Sequence, residues 1–284
     1  MEYLDPVISG AREISKCIQA ALYNDEGALI GRNGTIELEQ MTGFRQDKLI
    51  ILRNNAGIFP YTSFHLWKNQ CIDATKEADI LATGWYEPLK YAEQIALKEW
   101  KSNAIQVPLR SLEPYYVSQE EQWIRYFSGH SVSVVTCFTK TAMKQVDNLK
   151  NIWGPVINWP SDISWNWVQT GHPPSVAEGV NEWPSNINDS IQAINWIVSE
   201  VIKQGSRFAI IGCGGIGMPV ALKLKERGVI CIVLGGAIQV LFGIKGRRWE
   251  NHSVISRFWN EHWVSPSEAE TPAGSSAIEG GCYW

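Results

Sequence analysis

The chain has 284 residues, 45% of them hydrophobic, with a formal net charge of −4, which is length and apolar content enough for a large core without covalent staples. The weak negative charge gives no field that would gather nucleic acid or an acidic membrane, so no nucleic-acid partner is expected. The six cysteines are scattered with no C-x-x-C pair, a usage expected of small buried hydrophobes in a reducing, cytoplasmic compartment rather than of a disulfide framework.

The N-terminal residues Met1 to Pro6 are acidic and broken by proline, which predicts no secretory leader. From Ala11 to Tyr23, Ile14, Cys17, Ile18, Ala21 and Leu22 fall on one stripe, so a helix opens the fold. Ala28 to Ile30 reads as a short strand, and a second helix begins at Thr35 and runs to Met41. The apolar run Leu49 to Leu52 leads into a polar turn, Asn54, Asn55, Ala56 and Gly57, whose amides suit either a turn or the reading of a sugar or base. A third helix spans Tyr61 to Lys76, followed by a strand over Asp79 to Gly84 that ends at Trp85, a helix from Pro88 to Trp100 and an extended piece at Ile105 to Val107.

Glu120 to Phe127 reads as helical, Val132 to Cys137 as a buried strand, and Lys140 to Leu149 as an amphipathic helix. Gly154 to Ser185 is rich in Pro, Trp, Asn and Ser without periodicity, and is expected to be a long loop, dividing a single domain into lobes at 1–153 and 186–284. Helical spacing returns from Ile187 to Lys203. The recurrence of strand and helix predicts an α/β, Rossmann-like fold, a mostly parallel sheet with helices on both faces. The longest apolar run, Val229 to Ile244, is interrupted by Gly235, Gly236 and Gln239, is shorter than the ~20 residues of a membrane span, and reads as a strand and a short helix, so no transmembrane segment is expected. Fourteen tryptophans are the one unusual count; indoles suit both sugar stacking and irregular loop packing, and packing is the default.

The chemistry concentrates between Arg207 and Trp249. A strand, Phe208 to Ile211, meets Gly212, Gly214 and Gly217 in a G-x-G-x-x-G turn, then a helix from Met218 to Arg227 and a second strand, Ile230 to Leu234. A Gly235–Gly236 step follows, and then Lys245, Arg247 and Arg248. Glycine turns at a helix N-terminus favour anions, and guanidinium forks grip phosphate at two points. A diphosphate is the ligand this pattern suits, with a solvated turn, or pairing of one arginine with a carboxylate such as Glu279, as the structural alternatives for the basic residues.

The fingerprint also fits an NAD(P)-dependent oxidoreductase, but the Asp or Glu that such a site needs at the end of the second strand is replaced by Leu234, Gly235 and Gly236. The histidines show no metal spacing, and no G-x-S-x-G elbow, H-E-x-x-H helix or P-loop is present.

Arg32, Asn33, Gly34, Thr35, Ile36 and Glu37, at a strand-to-helix turn, resemble the R-F-G-D-G-E motif of the GT-D type glycosyltransferases. The later strand, glycine turn, helix and Gly–Gly step resemble that family's second half. The words Gly235 to Trp249 and Glu279 to Trp284 are similar to an uncharacterised bacterial, algal and large-virus subgroup associated with this fold. The resemblance implies a nucleotide-sugar donor, a glycan or glycoconjugate acceptor and a divalent cation, Mn²⁺ or Mg²⁺, held by a D-x-E pair. Here the Asp position is Thr35 and the Glu is Glu37, so metal dependence stays open; Glu39 substitutes only if the segment is extended, since helical residues two apart face roughly opposite ways. Glu37 is then the expected catalytic residue, or else a first-turn acid complementing the helix dipole. Arg32, Gly34, Asn54, Asn55, Gly212, Gly214, Gly217, Gly235, Gly236, Gln239, Lys245, Arg247 and Arg248 are the expected donor contacts. A protein that kept the fold but only binds nucleotide or glycan is the non-enzymatic alternative.

Overall fold

A computed structural model describes residues 5–44, 51–172, 183–184 and 186–284. It is an α/β, Rossmann-like fold built on one seven-stranded sheet. In chain order the strands are β1 (Ala28–Gly31), β2 (Ile80–Ala82), β3 (Ile105–Val107), β4 (Ser131–Thr136), β5 (Ser164–Gln169), β6 (Phe208–Gly212) and β7 (Ile230–Val233). They are arranged β3-β2-β1-β7-β6-β4-β5, every pair parallel. The central strands β1, β6 and β7 are buried on both faces, which is why they read as unbroken apolar runs.

The helices of the described residues are α1 (Pro6–Tyr23), α2 (Thr35–Thr42), α3 (Phe64–Lys76), α4 (Lys90–Glu99), α5 (Thr139–Gln145), α6 (Leu149–Trp153), α7 (Ser190–Lys203), α8 (Gly217–Lys225) and α9 (Ala237–Leu241). Two of them start on an aspartate: Asp5 accepts from the Val7 amide at 2.8 Å and Asp189 from the Gln192 amide at 2.8 Å, each satisfying a donor that the first turn leaves open. Connections moving toward β3 carry α3, α4, α7 and α8, all packed on one face in a core that includes Trp67, Ile197 and Leu224. Connections moving toward β5 cross the other face, where Trp123, Phe127 and Ile152 join α1 and the strand side chains. Opposite directions on opposite faces give every crossover the same hand, as parallel units require.

Three expectations change. The stretch 154–185 is not one long loop, because β5 lies within it and pairs along its whole length with β4; residues 173–182 and 185 lie outside the described residues. Glu120 to Phe127 forms two separate 3₁₀ turns, Gln119–Glu121 and Trp123–Phe127, not an α-helix. The polar turn after the apolar run is helical and starts earlier than expected: Leu52–Ala56 is a π-helical turn that ends on left-handed Gly57, while Leu49 and Ile50 lie outside the described residues. Strands from both halves of the chain interleave, with β6 and β7 between β1 and β4, so residues 1–153 and 186–284 share one sheet. No helix among the described residues is long and apolar enough to cross a membrane.

Candidate functional site

At the carboxyl edge of the sheet the connection from β7 departs on one face while those from its neighbours β1 and β6 depart on the other. Divergence of this kind opens a crevice beyond the strand ends, where α/β sheets bind ligands. A cavity of about 1120 Å³ occupies it. Its wall takes Arg32 to Gly34 from the end of β1, Thr83 to Trp85 from β2, Cys213 to Gly215 from β6 and Leu234 to Gly236 from β7. The C-terminal segment then folds over the rim and adds Arg248, His252, Glu279 and Tyr283.

The glycines at this edge make room for charged groups. Gly235 has φ +60°, and a Cβ there would collide with Arg32 Nη2; a Cβ on Gly236 would lie 2.8 Å from Arg248 Nη1. The Gly–Gly step therefore seats two guanidinium groups side by side. A Cβ on Gly34 would strike the Glu37 carboxylate, and one on Gly215 would stand 3.3 Å from Glu37 Oε1, so that carboxyl lies between the two glycine turns. Gly212 closes the packing from below, its absent Cβ lying 2.6 Å from the Gly235 carbonyl oxygen.

The two arginines differ in what holds them. Arg248 donates to Glu279 and, at 3.0 Å, to Cys282 Sγ, and its guanidinium carbon lies 4.4 Å from the Tyr283 ring centre. The alternative of pairing with Glu279 is thus realised inside the cavity. Arg32 has no ion pair among the described residues: it makes two long hydrogen bonds, both 3.5 Å, to the carbonyls of Leu234 and Asn33, and rests over the Trp85 ring at 4.9 Å.

Two carboxyls on the wall bind their protons more tightly than free ones. Burial raises Glu37, against its own backbone amide and Arg32, with Glu279 adding to the rise. Burial pushes Glu113 up to about 7, against the pull of Arg32, Tyr115 and Arg110. Cys213 is raised by burial to about 12 and Cys282 to about 11, so neither offers a thiolate near neutral pH. His252 is lowered by burial and then by Arg110; its Nδ1 accepts from the amides of Val254 and Ile255 at 3.3 and 3.2 Å, which leaves the proton on Nε2. Three buried polar atoms of the wall have no partner among the described residues: Gln239 Oε1 and the indole nitrogens of Trp85 and Trp249.

Among the residues singled out from sequence, Arg32, Gly34, Glu37, Asn55, Gly212, Gly214, Gly235, Gly236, Gln239 and Arg248 share this cavity. Five do not line it. Gly217 sits inside α8, where its missing Cβ lets the helix approach Val233. Asn54 lies in the same π-turn as Asn55 but off the wall, Lys245 rests over Trp259 at 5.5 Å, and Arg247 is exposed. Glu39 is buried on α2 away from the cavity, because the segment is helical from Thr35 and turns the two glutamates apart. The pair Glu37 and Glu39 therefore does not fit a shared metal ion, and the described residues hold no cluster of three His, Cys, Asp or Glu suited to one. Glu37 also keeps its first-turn place on α2, so both of its expected roles describe the same carboxyl.

Sequence reasoning missed Glu113, Arg110, His252 and Tyr283. The signal for Glu113 was a single carboxylate flanked by Leu112 and by Pro114 to Tyr116, which is costly to bury unless used. Comparison of the chain with protein-family models, with curated proteins and with solved structures finds no match in any of the three.

Proposed function

We propose that this protein is a glycosyltransferase that moves a sugar from a nucleoside-diphosphate donor to a glycan or glycoconjugate acceptor. The observation that carries the reading is Arg32, a guanidinium on the cavity wall that forms no ion pair among the described residues, beside Arg248 on the Gly235–Gly236 step. Half-buried Arg32 acts on Glu37 and Glu113 only through carboxyls that burial holds toward their neutral form, so a bound anion would complete its charge pairing. A diphosphate bridging two guanidinium forks does so, and the same pair stabilises charge growing on the leaving diphosphate as the sugar–oxygen bond breaks. The unpartnered Gln239 Oε1 and indole N–H groups would meet ligand hydroxyl or base edges. A cytoplasmic setting belongs to the proposal, supported by the lack of disulfides among the described residues, which include all six cysteines.

The oxidoreductase alternative draws on the left-handed Gly214 in the turn before α8. Against it, the end of β7 presents two arginines where an adenosine ribose needs a carboxylate. Thermal shift against UDP, GDP and dTDP sugars, with and without Mn²⁺, and against NAD(H) tests the ligand class. Stabilisation by a nucleotide sugar together with sugar transfer is expected; stabilisation by NAD(H) alone sinks the reading, and donor binding without turnover leaves a binding protein. Arg248→Ala is expected to weaken donor binding about tenfold to a hundredfold, as loss of a charged hydrogen bond does, and Glu37→Ala to abolish turnover while the melting temperature stays near wild type.

A further inference from the structure

The cavity, at about 1120 Å³, is larger than a diphosphate requires, and its two sides are lined differently. Beyond Arg32, on the side of β2 and β3, the wall includes left-handed Gly84, but its amide is given to Glu93 Oε2 at 2.7 Å and is not open to an anion. The wall there presents Trp85, Gln94, Gln106 and Tyr116 instead. Gln94 donates to Gln106 Oε1 at 2.9 Å and Thr83 donates to the same oxygen at 3.0 Å, so the amides are held in place. The Trp85 indole N–H is buried without a partner among the described residues. Aromatic faces beside fixed amides are the chemistry that receives a polyhydroxylated ring.

Glu113 stands where the two sides meet. It is buried, lines the cavity, and lies between the 3₁₀ turns Leu109–Leu112 and Pro114–Tyr116. The groups facing it are Arg32 from the end of β1, Arg110 from the turn before it, and Tyr115 and Tyr116 from the turn after it. No salt bridge within 4.0 Å fixes its carboxylate among the described residues, in contrast to Glu279 on Arg248.

Resting on the glycosyltransferase reading, we infer that the β2–β3 side of the cavity is the acceptor subsite, for a sugar hydroxyl, and that Glu113 is the base that takes the hydroxyl proton. In that step the acceptor oxygen forms a bond to the anomeric carbon. The bond from that carbon to the diphosphate oxygen breaks and its electron pair leaves with the diphosphate on Arg32 and Arg248. The acceptor proton passes to a carboxylate oxygen of Glu113, so charge and atoms balance. A base must be ionised to act, and a group titrating near neutral pH is well matched to that work.

The test compares wild type, Glu113→Gln and Glu113→Asp at several pH values, reading donor binding by thermal shift and transfer to a panel of sugar acceptors. Wild-type kcat/KM is expected to fall tenfold per pH unit below about 7. Glu113→Gln is expected to bind donor as wild type does, to melt at or above the wild-type temperature, and to lose about 100-fold or more of its transfer rate along with the acidic limb; Glu113→Asp, which keeps the carboxyl, is expected to retain that limb with a lower rate. Transfer by Glu113→Gln within threefold of wild type, limb intact, overturns the assignment of Glu113 while leaving the glycosyltransferase reading standing. Absence of transfer from any donor by wild type overturns both.

Discussion

Arg32 and Arg248 carry the same group and do different work, because their surroundings differ by one carboxylate. Arg248 is fixed by Glu279, Cys282 and the Tyr283 ring, so its position is set before a ligand arrives; Arg32 is held only by long carbonyl bonds and the Trp85 face. The glycine under each guanidinium provides a test that spares the fold. Gly236 has φ −61° and ψ −20°, a conformation any residue adopts, and its added Cβ would meet the Arg248 guanidinium at 2.8 Å and the Tyr283 ring at 3.0 Å rather than backbone. Gly236→Ala is therefore expected to leave the melting temperature within a few degrees of wild type and to weaken donor binding about tenfold by diverting Arg248; unchanged donor affinity in a titration would remove the guanidinium pair from the site. At this scale the site was partly legible. Arg32, Glu37 and the glycines announced themselves through motif spacing, whereas Glu113 and His252 sit on short 3₁₀ and loop segments that carry no periodicity.

Helix α5 shows how an element far along the chain depends on the tail. Phe138, the residue just before its first turn, supplies no side-chain cap. The buried carboxylate of Glu270 does so from outside, accepting from the Lys140 amide at 2.6 Å, the Thr141 amide at 3.1 Å, the Thr141 hydroxyl and Ser267 Oγ at 2.8 Å. An anion at a helix N-terminus with several charged hydrogen bonds is strongly favourable, and the backbone carbonyl of Glu270 also accepts from the Trp284 indole at 2.7 Å. Glu270→Ala is expected to lower stability on the order of 3 kcal/mol in urea unfolding and to loosen the segment that covers the cavity; a loss below ~1 kcal/mol would show that water replaces the carboxylate at no great cost. Elements of this kind were hard to foresee, since the cap comes from a residue remote in sequence. The interior strands were legible because burial on both faces leaves an apolar run. Strand β5 was not: at the sheet edge it alternates tryptophan with polar residues and only Val168 is fully buried, which hides it among the prolines and asparagines around it.

For the molecule as a whole, three carboxyls, Glu37, Glu93 and Glu113, are raised chiefly by burial. Each binds its proton more tightly folded than unfolded, so its contribution to stability is fully present below the ordinary carboxylate value and is lost as pH rises through the folded one. For Glu113 that window runs from 4.5 to about 7, equivalent to ~3 kcal/mol. Glu113→Gln, which cannot ionise, is expected to gain stability relative to wild type as pH rises from 4.5 to 8, with the difference in unfolding free energy growing by about 3 kcal/mol; a difference independent of pH would place the carboxyl in contact with solvent.

Strand β7 joins β1 on one side to β6 on the other, and it comes late in the chain. Without Ile230 to Val233 the sheet would divide into two three-stranded ribbons, β3-β2-β1 and β6-β4-β5, with no backbone ladder between them. Arg32 belongs to one ribbon and the Gly212 bend to the other. The pocket is thus an assembly product: a single four-residue wedge joins the ribbons and brings Arg32 beside the glycine bends, while the rim is complete only with the later residues Arg248, Glu279 and Tyr283.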